Sequence, residues 1–196
     1  ALIFAAAEGH TDTVKALAGR HNANVEAVDR YLGMTALMVA AEQGHTDTVN
    51  ALAGTHNANV EAVDKDGRTA LIFAAAEGHT DTVNALAGRH NANVEAVDRY
   101  LGMTALIFAA LKGHTDTVNA LAGRHNANVE AVDKGGRTAL IFAASNGHTD
   151  TVNALAGTHS ANVEAATERG TTALMLAAQE GHTDVVEALR RLGATR

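Results

Sequence analysis

Eleven histidines are the residues of this 196-residue chain with the clearest capacity for chemistry, and they fall into two evenly spaced series. His10, His45, His79, His114, His148 and His182 each follow a glycine, while His21, His56, His90, His125 and His159 each precede Asn or Ser. Imidazole is a common zinc ligand, but a zinc site needs three or four donors converging on one ion. Each series supplies a single ring per repeated unit, neighbouring helices pack about 8–10 Å apart, and no unit sets two histidines at helical i, i+3 or i, i+4 spacing. No metal is expected. The recurring His-x-Asp, as in His79 and Asp81, has the composition of an acid-base pair, yet it occurs in six copies, and one reaction needs one site. Ser145 and Ser160, the only serines, lie in polar stretches without a nucleophile motif. Cysteine is absent, which removes thiol catalysis, Cys-type zinc sites and disulfides, and suits reducing and oxidising compartments alike. Neither catalytic residues nor a cofactor are expected.

Carboxylates form further rows. Glu26, Glu61, Glu95, Glu130 and Glu164 recur with Asp29, Asp64, Asp98 and Asp133, interleaved with Arg30, Lys65, Arg99 and Lys134. This reads as a solvated edge of neighbouring opposite charges, with an acidic strip that steers a basic partner as the alternative. The formal charge of -7, without any basic run, argues against nucleic acid or an anionic membrane surface as partner. No apolar run approaches the ~20 residues that a membrane-spanning helix needs.

What must position these residues is one unit written six times. Thr69 to Val83 reads TALIFAAAEGHTDTV, and its Gly-His pair recurs at Gly9, Gly44, Gly78, Gly113, Gly147 and Gly181, with spacings of 35, 34, 35, 34 and 34. A fixed period of this size signals a solenoid. Leu37, Ala40 and Ala41 lie at i, i+3, i+4, and so do Val49, Leu52 and Ala53, so each set marks one helix face. Gly44 stops the first helix, and Thr46 and Asp47 stand where side-chain oxygens would cap the second. Helices of about nine residues are marginal alone and must be stabilised by packing against neighbouring units. Between hairpins runs a polar segment such as NANVEAVDKDGR over 57–68, read as a projecting β-turn or hairpin with Val60 buried. The expected fold is an all-α solenoid of six stacked helix-turn-helix units in one domain over 1–196. The units are 1–28 (partial), 29–63, 64–97, 98–132, 133–166 and 167–196. Leu37, Ala41, Val49, Leu52 and their copies should form the core.

At this point the sequence resembles the ankyrin repeat family. DKDGRTALIFAA over 64–75 is similar to that family's D-x-x-G-x-T-P-L-H-x-A-A, GHTDTV over 78–83 to its G-H-x-x-x-V, and NANVEA over 91–96 to its G-A-D-V-N-A. The matches recur in phase through all six units. The resemblance implies that the hinge histidines bond backbone groups between units. Ala70 and Ile72, or Ala36 and Met38, replace the family's proline and histidine, which removes its Thr-to-His hydrogen bond and implies softer helix starts. The first five units carry one extra residue after the second helix, as in Gly88-Arg89-His90-Asn91. A slightly longer loop is expected there, with Gly88 or Asn91 left-handed.

A longer period of two units is also present. Residues 29–63 match 98–132 at 30 of 35 positions, and 64–97 match 133–166 at 28 of 34, so a two-unit block was copied. The differences fall mainly at the turn, at the pair before Gly-His and after the second helix. In the family, turn and first-helix positions line the concave face and contact the partner. The resemblance therefore implies partner contacts from Glu42, Gln43, Asp66, Arg68, Glu77, Leu111, Lys112, Arg137, Ser145, Asn146, Arg169 and Gln179. To these the sequence adds two turn tips that are one residue longer, Arg30 to Met34 and Arg99 to Met103, carrying Tyr31, Leu32, Met34, Tyr100, Leu101 and Met103. Residues of these types make hot spots when buried against a partner, or else they fold back to cover the adjacent turn. The expected function is a non-enzymatic module binding a folded protein or peptide. The alternative is a structural spacer or self-stacking scaffold. Glu187, Arg190 and Arg191 offer a polar last helix, whereas Leu2, Ile3 and Phe4 open the chain inside a repeat. Further repeats upstream, or self-association through that end, are the two expectations there.

Overall fold

The computed structural model describes residues 1–196 and contains twelve α-helices and no strands. It comprises two compact units, Ala1–Tyr100 and Leu101–Arg196. In the first, helices Leu2–Ala7, Ala36–Glu42 and Ala70–Ala76 pack side by side, each followed by a second helix that folds back on it. In the second unit, Ala105–Lys112, Ala139–Ser145 and Ala173–Gln179 do the same. Leu37, Ala40, Ala41, Val49 and Leu52 are buried, as are Leu71, Ala75, Val83 and Leu86 one repeat later. Alanines on the first-helix seam keep side chains short and let neighbouring helices approach closely. Coverage weakens at outer positions, where Leu17 is half-buried and Ala178 exposed.

The first helices start on a threonine. Oγ1 of Thr35, Thr69, Thr104, Thr138 and Thr172 accepts the N–H three residues on, at 3.3–3.4 Å. Although the family's proline and histidine are missing, the hydroxyl satisfies an otherwise orphaned amide at each of these starts. Each first helix ends as expected on its glycine: Gly44 has φ +72°, and His45 N–H donates to the Ala40 carbonyl at 2.9 Å. The second helices depart from expectation. Their N-caps are the hinge histidines, with no side-chain cap bond. Thr46 Oγ1 instead meets Thr82 Oγ1 of the next repeat at 2.8 Å, a rung repeated by Thr11 with Thr48 and Thr115 with Thr151.

The extra residue of the first five repeats does not lengthen the loop. It is taken up inside the helix, whose second half is a π turn, as in Ala51–Thr55, where His56 N–H bonds the Ala51 carbonyl five residues back. The last repeat lacks the extra residue and runs as an uninterrupted α-helix, Thr183–Arg191. Asn91 takes the left-handed conformation with φ +53°, as do Asn22, Asn57, Asn126 and Ser160, while Gly88 does not. The expected hairpins reduce to single bridges, Val28 with Thr35, Val132 with Thr138 and Ala166 with Thr172. Ala58, not Val60, is the apolar residue that segment buries.

The carboxylate rows are in part the expected solvated edge, since Glu26, Glu61, Glu95 and Glu130 are exposed, but they also fasten repeats together. Glu26, Glu61 and Glu130 each accept the N–H of an Asn in the following repeat, Asn59, Asn93 and Asn162, at 2.7–2.8 Å. Glu164 accepts from Thr195 N–H and Oγ1–H and from Arg196, and these bonds hold its carboxyl below the usual range. Asp64 and Asp133 are buried and organise their turns from within.

The loop histidines form another fastening that fails once. His90 Nε2–H donates to Asn50 Oδ1 at 3.0 Å and His159 Nε2–H to Asn119 Oδ1 at 2.9 Å. His56 Nε2 is buried without a partner, because the preceding repeat has Lys15 where the four repeats after it place Asn. An unmade bond to a buried polar group costs about 1–3 kcal/mol, against a loss of only ~0.3 kcal/mol in helix propensity on exchanging Lys for Asn. Lys15→Asn should therefore stabilise the protein by about 1 kcal/mol, and Asn50→Lys should destabilise it by a similar amount. Urea unfolding of the two variants decides the matter, and a loss of stability in Lys15→Asn would refute it.

Candidate binding face

The hinge histidines, which looked most like chemistry, are consumed by structure. Nε2–H of His45, His79, His148 and His182 donates to the carbonyls of Ala7, Glu42, Leu111 and Ser145, the ends of the preceding first helices, at 2.9–3.1 Å. A carbonyl only accepts, so Nε2 carries the proton. Each ring lies over the preceding repeat's hinge glycine, where an added Cβ at Gly44 would stand 2.6 Å from His79 Nδ1.

Turn tips and first helices carry the residues left over. In the longer tip at 30–34, Asp29 Oδ1 accepts the N–H groups of Tyr31 and Leu32 at 2.7 and 2.8 Å, and Oδ2 accepts that of Met34 at 2.7 Å. Backbone bonds to Leu32 and Met34 hold the Asp29 carboxyl below its usual range. From the next repeat, Lys65 Nζ donates to the Arg30 and Tyr31 carbonyls and Lys65 N–H to that of Leu32. The backbone is pinned on both sides, yet the side chains of Tyr31 and Leu32 are 87% and 50% exposed. The copied tip repeats this, with Tyr100 64% and Leu101 47% exposed. Met34 and Met103 are the correction: both are buried under their own turns and cannot meet a partner.

The shorter turns are built on arginine. Asp64 Oδ1 accepts from the N–H groups of Asp66 and Arg68, and Oδ2 takes Arg68 Nε–H and Nη2–H at 3.0 and 2.8 Å. The guanidinium also meets Asp66 at 3.1 Å and lies 4.6 Å over the Phe73 ring. Arg137 repeats the arrangement with Asp133 and Phe142, 4.4 Å over the ring, but Gly135 stands where Asp66 was. Burial pushes the Asp133 carboxyl up, and bonds from the Arg137 side chain and N–H and from Gly135 N–H outweigh it, so the group lies below its usual range.

Other expected contact residues are dispersed. Gln43, Glu77, Lys112, Asn146 and Gln179 are exposed at the ends of their helices, and Glu42 and Leu111 are half-buried. Ser145 and Asn146 both donate to the Phe142 carbonyl. Three of the expected residues, Arg137, Ser145 and Arg169, converge in the second unit on a groove of about 520 Å³. Gly135, Thr167, Glu168, Thr171 and Leu176 complete its lining. Those five were missed, although one signal was available: Thr171 aligns with Met34, Arg68, Met103 and Arg137, each a far larger residue.

A family profile described as "Ankyrin repeats (3 copies)" matches residues 2–98, 56–133, 90–167 and 106–195. No curated protein matches the sequence. Among solved structures, one chain of the complex of the predatory endopeptidase Bd0816 from Bdellovibrio bacteriovorus with the immunity protein Bd3460 is similar to this one. The TM-score is 0.84 at 29% identity, over 97% of each chain.

Proposed function

The chain belongs to the ankyrin repeat family, and from that premise we infer that it is a non-enzymatic module that binds a folded protein or peptide through its turn and first-helix face. The observation that carries this reading is the pair of tips whose backbone is fixed while their tyrosines and leucines stand in solvent. Fixing the backbone in advance lowers the entropy lost on binding, and tyrosine presents a large contact area with few rotatable bonds. An inward-folded role for the tips is already filled by Met34 and Met103. Tyr31, Leu32, Tyr100 and Leu101 are therefore assigned as anchors, with Gln43, Glu77, Lys112, Asn146 and Gln179 as rim. The six repeats are taken as one domain, since the profile matches at 56–133 and 90–167 cross the Tyr100–Leu101 boundary; a single unfolding transition is the check.

Affinity capture with quantitative mass spectrometry, followed by titration of the captured partner, tests the anchors. Tyr31→Ala and Tyr100→Ala should each weaken the partner by about 2 kcal/mol, roughly 30-fold in Kd, with Tm nearly unchanged. If Tm falls and the affinity of the folded fraction does not, the tyrosines belong to the scaffold.

A further inference from the structure

The groove of the second unit lacks two groups that the chain supplies to itself at equivalent places. The first is a carboxylate. Arg68 is held by Asp64 and again by Asp66 at 3.1 Å, and its side chain is 28% exposed. Arg137 has Asp133 alone, Gly135 has taken the place of Asp66, and exposure rises to 41%. Arg169, which aligns with Asp66 and Gly135, adds a second guanidinium to the lining, exposed and without an ion pair, against the single carboxylate of Glu168.

The second missing group is aliphatic. The position before the capping threonine is filled by Met34 and Met103, both buried, or by an arginine whose guanidinium lies over Phe73 or Phe142. In the last repeat it is Thr171, and Leu176, which aligns with Phe73 and Phe142, is left half-buried at the groove wall. The volume of about 520 Å³ exceeds what one side chain fills.

We propose that this groove is a recognition site for an exposed loop of a partner protein that presents an Asp or Glu side chain beside a Leu or Met. The carboxylate takes the place that Asp66 holds on Arg68, bridging Arg137 and Arg169, and the aliphatic chain covers Leu176. A side-chain carboxylate is chosen over a chain terminus because the internal template, Asp66, is a turn side chain. The proposal rests on the reading that this face meets a protein, and it names the chemistry that one part of the face selects.

The test uses the full chain and blocked peptides, acetyl-Gly-Asp-Leu-Gly-amide and its Leu-Asp isomer, with methyl shifts of Leu176 and Nε–H shifts of Arg137 and Arg169 as readout. At least one peptide should saturate in the ~1 mM range usual for so small a ligand. Replacing its Asp by Asn, or its Leu by Gly, should weaken it at least about tenfold, because each removes one of the two matched groups. Gly135→Asp is the decisive variant. It restores the internal carboxylate at a position where Asp66 is already tolerated, so it should keep its Tm and bind about tenfold more weakly. Undiminished binding by folded Gly135→Asp overturns the carboxylate seat, as does equal binding of the Asn peptide. N-acetyl-leucine binding tighter than either blocked peptide would assign the groove to a chain terminus and overturn the side-chain assignment. Absence of any saturable shift at Leu176 overturns the site, while the tyrosine titration continues to judge the wider interaction face.

Discussion

Gly44→Ala should destabilise the protein by about 3 kcal/mol, whereas Gly181→Ala, the same substitution at the same hinge of the last repeat, should cost only about 1–2 kcal/mol. Both glycines are left-handed, with φ +72° and +77°, so both pay the backbone term. They differ in what a Cβ meets. At Gly44 it would stand 2.6 Å from His79 Nδ1 and 2.8 Å from Cε1, and at Gly181 nothing lies within 4 Å. The ring at Gly44 must move, and in moving it gives up the 2.9 Å bond from Nε2–H to the Glu42 carbonyl, worth about 1 kcal/mol. Urea denaturation of the two variants measures the difference directly. Equal losses would mean that the histidine ring shifts freely and that the interlock between repeats is not held by this contact.

The second large effect is expected at Asp64. This buried carboxylate makes four hydrogen bonds, two to backbone N–H groups of its own turn and two to the Arg68 guanidinium. Asp64→Ala leaves both amides and part of the guanidinium unpaired, and removing one partner of a buried pair costs about 3–5 kcal/mol. Arg68 keeps Asp66 and some solvent contact, so the lower end, about 3 kcal/mol, applies. The loss should spread forward, because Arg99 N–H donates to the Asp66 carbonyl at 2.8 Å and depends on that turn for its acceptor. Amide exchange should accelerate at Arg68 and Arg99 together. A loss below about 1 kcal/mol, the scale of an exposed pair, would show that the turn holds without its aspartate.

These contrasts indicate which features the sequence could declare. Period, hairpin and core were legible because Leu37, Ala41, Val49 and Leu52 repeat at helical spacing in every unit, and their burial follows from that pattern alone. The hinge histidines were legible through the family resemblance, and the bonds to Ala7, Glu42, Leu111 and Ser145 bear it out. The extra residue was visible, but its location was not. One added residue can lengthen a loop or convert i→i+4 bonds to i→i+5, and the second is what occurs, with Leu52 and its copy Leu86 each buried within its own π turn. Glu26 and Asp64 look alike in a charge row. One reaches across to Asn59 and the other turns inward to its own loop, a difference that needs coordinates. Tyr31 and Met34 sat in one apolar tip of five residues. The three bonds of Asp29 decide that the tyrosine faces out and the methionine in.

The fastenings between repeats share a direction. His45 donates back to Ala7, Asn59 to Glu26, Lys65 to Arg30, His90 to Asn50 and Lys134 to Leu101, and only the threonine pairs are indifferent to which oxygen gives the proton. Every repeat therefore has a donor side and an acceptor side, as a magnet has two poles. Two donor sides, or two acceptor sides, have only threonine hydroxyls to exchange, so a face laid bare by shortening the array finds its full complement on the opposite face of another copy. That contact is heterologous and leaves both outer poles open. Shortened arrays that associate through such faces should therefore grow as unidirectional filaments, with length rising with concentration, and should not close into two-fold dimers.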